Sequence, residues 1–284
     1  MVTPFDETGS IDWQALDVCL ERQAAAGVTG VVVIGSTGES ASLSMQERLS
    51  IIRRAHAVLQ GRIRLMAGTG LSHTGQTVEL SKLAIEAGAE SLLVVTPPYV
   101  KPNTQGLIRH YETLGREVNA PICIYHVPSR TGRRLTVEEF GLLSQLPHIA
   151  MFKDSGGDMV LLSRAAQICG QPFLSGDDLT FLASRAVGSQ GWISVISNVF
   201  PEACVEMNRA FSAGDTQRAC AIYRGLLPLM QQLECDTNPT PIKAALAAKG
   251  LCRNEVRTPL APVAPEVAQR IAEAVGGFSL ESVA

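Results

Sequence analysis

Lys153 follows Ile149-Ala-Met-Phe152, in a run that is otherwise apolar. Burial disfavours a charged ammonium, and the neutral amine it leaves is the nucleophile that condenses with a ketone to give an imine. The same residue also reads as a lysine at a strand's last turn that reaches solvent or pairs with Asp154. Tyr125 ends Pro121-Ile-Cys-Ile-Tyr125 and opens Tyr125-His-Val-Pro-Ser-Arg-Thr-Gly132. A phenol there can move protons to and from a developing alkoxide or amine, or it can be an ordinary aromatic strand residue. Arg130, braced by Pro128 and Gly132, can clamp a carboxylate through two bonds or stay solvated. Gly35-Ser-Thr-Gly-Glu-Ser40 joins the hydroxyls of Ser36 and Thr37 to glycines that let the backbone approach a small carboxylate. The loop has no lysine, which argues against a nucleotide phosphate cradle, and its other reading is a plain turn before a helix. Tyr99 follows Thr96-Pro-Pro98 and is either a phenol at a strand end or a packing residue.

These residues need a frame. Short runs rich in Val, Ile and Leu, each followed by a polar or Gly-containing loop and an amphipathic stretch, repeat as βα units. The strand candidates are residues 28–35, 63–68, 91–96, 121–126, 149–154, 172–175 and 190–196, with a stub at 2–5 as an eighth. Trp13, Leu16 and Leu20 fall at helical spacing, as do Met45, Leu49, Ile52 and Leu59. Ser44-Met-Gln-Glu47 and Thr136-Val-Glu-Glu139 have the capping-box form that starts a helix. After Val199 only helices are expected, at 201–213, 215–234, 241–249 and 265–275. Strands that alternate with helices pair in parallel. Eight such units suit a (β/α)8 TIM barrel, here residues 1–213, with a C-terminal helical extension at 214–284. The competing open doubly wound sheet usually carries a Gly-rich phosphate turn, and Gly68-Thr69-Gly70 supplies only half of one. In a barrel the reactive groups gather where strands end, which is where Lys153, Tyr125, Tyr99, Ser36 and Thr37 fall.

Composition narrows the function. The chain has 284 residues, 46% apolar and 18% charged, which allows a large core. A net charge of −3 offers no basic surface for nucleic acid. The longest apolar run, residues 28–34, is broken by Thr29 and Gly30 and falls far short of the roughly 20 residues a membrane span needs. With no secretory leader pattern, a cytoplasmic protein is expected. Seven widely spaced Cys read as buried free thiols. The five His form no H-E-x-x-H, and Asp177-Asp178 reads as a helix cap more readily than a cation site. Imine chemistry requires neither metal nor cofactor, because the protonated imine is itself the electron sink.

Taken together, Gly35-Ser-Thr-Gly-Glu39, Tyr125-His-Val-Pro-Ser-Arg-Thr-Gly132 and Lys153 resemble the pyruvate-dependent class I aldolase superfamily, and within it the dihydrodipicolinate synthase family. The likeness runs over nearly the whole chain. It implies that Lys153 forms a Schiff base with pyruvate and that Tyr125 shuttles protons. Ser36 and Tyr99 would complete a hydroxyl relay, Tyr99 reaching from a neighbouring subunit of a homotetramer built as a dimer of dimers. Thr37 and the backbone of Ile193 would hold the pyruvate carboxylate, and Arg130 the carboxylate of L-aspartate 4-semialdehyde. The reaction would serve lysine (diaminopimelate) biosynthesis.

Alternatives within the superfamily are N-acetylneuraminate lyase and 2-keto-3-deoxy sugar-acid aldolase. Pro128-Ser-Arg-Thr-Gly132 argues against them, while Ser36, where synthases more often have Thr, argues mildly for them. A non-catalytic keto-acid-binding barrel is a further alternative, but it would not need a buried amine beside phenols. Three departures from the family pattern stand out. The family usually carries more residues before its first strand, so either the start codon is misassigned or the barrel closes with a shortened strand. At the positions of the family's lysine feedback site stand Met45, Arg48, Ser72, Gln76 and Pro98, which implies insensitivity to L-lysine. His126 stands where Asn is common and adds a group that titrates near neutrality.

Overall fold

The computed structural model describes residues 1–283. Its strands are β1 (Gly30–Val33), β2 (Arg64–Gly68), β3 (Ser91–Val95), β4 (Ile122–His126), β5 (Ile149–Asp154), β6 (Phe173–Ser175) and β7 (Gly191–Trp192). Two compact units result: one comprises Met1–Ser44, Ala57–Arg64 and the chain from Val195 onward, the other Met45–His56 and Leu65–Ser194.

In the second unit β2 to β7 pair in chain order, every neighbour parallel. A doubly wound sheet reverses its strand order at a switch point, and this ladder has no reversal. The helices between strands start where the sequence supplies caps. Asn103 accepts the Gly106 N–H ahead of Thr104–Glu117, Asp158 accepts from Val160 and Leu161 ahead of Met159–Ile168, and Thr136 and Glu139 close the expected capping box ahead of Val137–Ser144. The Thr104–Glu117 helix buries Leu107, His110, Tyr111 and Leu114, and the Tyr111 hydroxyl donates to the Val94 carbonyl of β3 at 3.1 Å.

Strand alternation sorts the side chains of this sheet. Phe152 of β5 stacks on its register partner Phe173 of β6 at 4.9 Å, and Phe140 of the Val137–Ser144 helix meets both edge-on at 5.3 and 5.4 Å. Burying each ring is worth roughly 2–3 kcal/mol. That cluster identifies the helix-covered face, so Lys153, next to Phe152, points to the other.

Two expected strands are trimmed by more than one residue. Residues 28–35 contract to β1, and 190–196 to β7, although ladder bonds still run from Gln190 N–H to the Phe173 carbonyl and from Ile193 N–H to the Ser175 carbonyl. Residues 2–5, expected as an eighth strand, form none and make only a single antiparallel bridge, Phe5 to Ile11. Pro4 lacks a donor, and the Val2 N–H is taken by the Asn198 side chain at 3.0 Å, so no backbone ladder propagates. The first unit holds the expected helical tail as Pro201–Ser212, Thr216–Gln232, Thr240–Ala248 and Pro265–Gly276. All seven Cys are free, but only Cys19, Cys123, Cys169 and Cys204 are buried; Cys220 and Cys252 are half-buried and Cys235 is exposed, against the expectation of burial. Cys235 lies just past the end of the Thr216–Gln232 helix, beyond its buried stripe. Among the described residues no helix is long and apolar enough to cross a membrane.

His110 makes this packing sensitive to acid. It is 3% exposed, its Nδ1 lies 3.0 Å from Thr74 Oγ1, and its Nε2 is buried without a hydrogen-bond partner. Burial pushes its pKa down to about 4 from an ordinary 6.5. The unfolded chain therefore binds the proton first, and stability should fall as pH drops from the unfolded value toward the folded one, by up to about 3 kcal/mol. In His110→Leu, thermal melts across that window should lose this slope, whatever the variant's absolute Tm.

Candidate active site

The ladder between β4 and β5 slips by one residue at Ile122/Cys123: Ile122 faces Ile149, but Cys123 faces Met151. From there Tyr125 faces Lys153 and His126 faces Asp154. Without that slip every later side chain of β5 would meet the wrong partner. Lys153 is 9% exposed, and its Nζ lies 4.1 Å from the centre of the Tyr125 ring, itself 6% exposed. The reading in which Lys153 pairs with Asp154 does not hold, because Asp154 Oδ1 lies 2.6 Å from His126 Nδ1.

Two residues that sequence reasoning passed over complete this cluster. Ser155 Oγ donates to the Tyr125 hydroxyl at 3.4 Å, a long contact of the kind that tightens when a ligand binds. Gly176, at the end of β6, leaves room for both: a Cβ there would stand 2.0 Å from Ser155 Oγ and 2.6 Å from Lys153 Cε. The only available signal was Gly176 directly after a strand, which is too common to single out.

Arg130 sits exposed on a one-turn helix, Pro128–Thr131, stopped by Gly132 at φ +66°. The Thr131 hydroxyl accepts the Arg133 N–H at 3.3 Å, and Arg133 in turn bonds the Pro102 carbonyl at 2.9 Å and the Glu139 carboxylate. At the base of this loop, the Leu135 N–H donates to His126 Nε2 at 3.1 Å. Tyr99 is 91% exposed with φ +71°, beside Pro98, whose carbonyl accepts the Ser72 hydroxyl at 2.9 Å. The Ile193 N–H is committed to the Ser175 carbonyl at 2.8 Å, so the group it can present is its own carbonyl. Asp178 Oδ1 accepts the Trp192 indole N–H at 2.7 Å, and Asp177 Oδ1 accepts the Leu179 N–H at 2.9 Å. Gly70 is required by close approach, since a Cβ would stand 2.4 Å from the Val95 nitrogen. That is a packing reason for the Gly68-Thr69-Gly70 turn.

Ser36 and Thr37 lie in the first unit, on a loop clamped by the C-terminal segment of that unit. Asn238 Nδ2 donates to Thr37 Oγ1 at 2.9 Å, which leaves the hydroxyl hydrogen of Thr37 to point elsewhere. Glu39, in left-handed backbone at φ +53°, pairs with Lys243 Nζ at 2.5 Å and accepts the Arg257 N–H at 3.0 Å. Lys243 is fully buried, bonds the Glu255 carbonyl at 2.7 Å and lies 4.0 Å over the Phe5 ring. Burial draws its ammonium below the ordinary value, and Glu39 opposes that shift. Sequence reasoning missed this second buried lysine, although a lone charge within Pro241-Ile-Lys-Ala-Ala-Leu246 was a usable signal.

Residues 1–276 match the model of the Dihydrodipicolinate synthetase family. A 4-hydroxy-tetrahydrodipicolinate synthase of Sorangium cellulosum is 41% identical over 279 residues, covering 97% of this chain and 93% of that protein. The enzyme of the same name from Nitratidesulfovibrio vulgaris is 39% identical over 266 residues, covering 93% of this chain and 91% of its own length. Among solved structures, dihydrodipicolinate synthase from Aquifex aeolicus superposes with a TM-score of 0.94 at 38% identity, covering 97% of this chain and 95% of that one. The chloride-inhibited synthase from Acinetobacter baumannii, complexed with pyruvate, gives 0.95 at 34% identity, covering 98% and 96%.

Gly176→Ala should displace Ser155 and Lys153 together. A misplacement of this size costs about 100-fold in kcat/KM, and the crowding about 1–3 kcal/mol of stability. Steady-state kinetics beside thermal melts would check both; wild-type kinetics would show that the lysine tolerates the methyl.

Proposed function

The chain belongs to the dihydrodipicolinate synthetase family, with that family's barrel fold and C-terminal helices, and on that premise we propose how its own residues carry the family's reaction, the condensation of pyruvate with L-aspartate 4-semialdehyde. The observation that carries the reading is Lys153, withdrawn from solvent, set over a phenol ring and not paired with the carboxylate next to it in sequence. An amine so placed has its lone pair to offer once a proton is lost.

The Lys153 nitrogen attacks the ketone carbon of pyruvate. The ketone oxygen leaves as water after taking two protons, one of them through Tyr125, and an imine remains. Loss of a methyl proton gives the enamine, whose carbon attacks the aldehyde and forms the new C–C bond. The amine of the semialdehyde then attacks the imine carbon, closes the ring and releases Lys153. Thr37, its hydrogen left free by Asn238, donates to the pyruvate carboxylate; the Ile193 N–H, expected to share that task, is already spent on the Ser175 carbonyl, and a carbonyl cannot bond a carboxylate. Ser36 supplies a hydroxyl to the proton relay. Tyr99, turned outward and 91% exposed, serves the relay of a neighbouring subunit in a homotetramer. Arg130, exposed beside the end of β4, takes the carboxylate of the second substrate through two charge-assisted bonds.

The test is pyruvate-dependent turnover of L-aspartate 4-semialdehyde beside cleavage of N-acetylneuraminate and 2-keto-3-deoxygluconate on one preparation. Preference for the semialdehyde by orders of magnitude in kcat/KM is expected; a preference for either sugar acid would overturn the role of Arg130. Borohydride should trap pyruvate on the wild type and not on Lys153→Met. Arg130→Ala should keep the adduct while KM for the semialdehyde rises about 10- to 100-fold, the worth of charge-assisted bonds. L-Lysine at submillimolar concentration should not inhibit, because Gln76 offers no carboxylate to an incoming ammonium and Arg48 adds a like charge; a titration showing half-inhibition there would refute this.

A further inference from the structure

His126 has no part in the steps above, yet it is among the most constrained side chains of its unit. Its ring is 0% exposed and bonded through both nitrogens, to Asp154 Oδ1 at 2.6 Å and to the Leu135 N–H at 3.1 Å. An N–H aimed at Nε2 needs a lone pair there, so the ring proton sits on Nδ1 and is donated to Asp154. Asp154 Oδ1 also accepts the Gly156 N–H at 3.0 Å, and Phe140 meets the imidazole edge-on at 5.4 Å. A carboxylate on one edge and an aromatic wall beside it leave the ring one orientation.

Leu135 lies nine positions after His126. Between them the chain leaves β4, forms the Pro128–Thr131 turn that carries Arg130, and returns. The bonds of Thr131 and Arg133 hold the interior and flank of this excursion. The imidazole joins its end to its beginning, and through Asp154 joins both to the strand that bears Lys153.

We propose that His126, oriented by Asp154, is a positioning residue for Arg130: it closes the 127–134 loop at its base and so sets affinity for the acidic aldehyde, while imine formation proceeds without it. The assignment rests on the reading of Arg130 and Lys153 given above. It makes the two halves of the reaction separable, because Lys153 is fixed by the β-ladder and Arg130 by the histidine.

His126→Leu keeps an apolar contact for Phe140 and removes both bonds. His126→Gln carries an acceptor at the level of Nε2 and serves as the rescue. In the leucine variant, KM for L-aspartate 4-semialdehyde should rise about 10-fold or more, while the rate of borohydride-trappable pyruvate adduct stays within about 2-fold. Trypsin should cut faster after Arg130, Arg133 and Arg134, a readout of loop opening that needs no activity. The glutamine variant should move both readouts back toward wild type. Should the leucine variant not fold, Asp154→Asn, which keeps an acceptor for Nδ1 but weakens the bond, gives the same comparison at about 3-fold in KM. Unchanged KM and trypsin cleavage would overturn the proposal, as would adduct formation that falls in step with the rise in KM. A wild type that traps no pyruvate would instead overturn the reading of Lys153, with the trypsin comparison still deciding whether His126 closes the loop.

Discussion

Between Ile122 and Cys123 the ladder joining β4 to β5 slips by one residue, so that Met151 instead of Ala150 faces Cys123. Side chains alternate across a strand, and a slip of one inverts every partnership beyond it. Here it aligns Lys153 with Tyr125 on one face, and Phe152 with Ile124 and Asp154 with His126 on the other. The lysine–tyrosine pair and its support come from one register. The amine and phenol face away from the helix layer, while the Phe140, Phe152 and Phe173 cluster and the His126–Asp154 pair brace the same two strands from behind.

Two lysines in this chain are buried, and their surroundings separate their roles. Lys243, fully buried in the first unit, has its charge answered by Glu39 at 2.5 Å and by a backbone carbonyl at 2.7 Å. Removing either partner of such a pair leaves an uncompensated charge, so its task is to hold the Glu39 turn. Lys153 has an aromatic face at 4.1 Å, and the neighbouring carboxylate is turned to His126. An amine without a committed anion can change its protonation state and bond order during a reaction; one locked to a carboxylate cannot do so cheaply.

Loops in both units are held by side chains that reach backbone groups. Asn238 and Arg257 hold the loop of Thr37 and Glu39, and Arg133, Thr131 and His126 hold the loop of Arg130. Loops carry the functional groups, and their own backbone makes few ladder bonds, so side-chain anchors supply the rigidity that a sheet would otherwise give.

Periodicity in Ile149-Ala-Met-Phe-Lys-Asp154, in the alternating βα rhythm and in the tail after Val199 was enough to locate the strands and helices, because burial imposes a repeat of two or of 3.6 residues on any chain that folds this way. Lys153, Tyr125 and Arg130 stood out as candidates for a related reason: each is a polar type where an apolar or turn residue would be cheaper. The failed strand at residues 2–5 was not legible, since whether an extended segment joins a ladder depends on which groups meet its N–H and C=O. Neither were Ser155, Gly176 or the closure of the Arg130 loop by His126, which depend on contacts between segments far apart in the chain. The sequence by itself determined residue types, element order and the strand ends at which the candidate groups fall. Tertiary structure alone decided that Lys153 faces Tyr125 and that Lys243 faces Glu39, because register and pairing are set by contacts that no local pattern encodes.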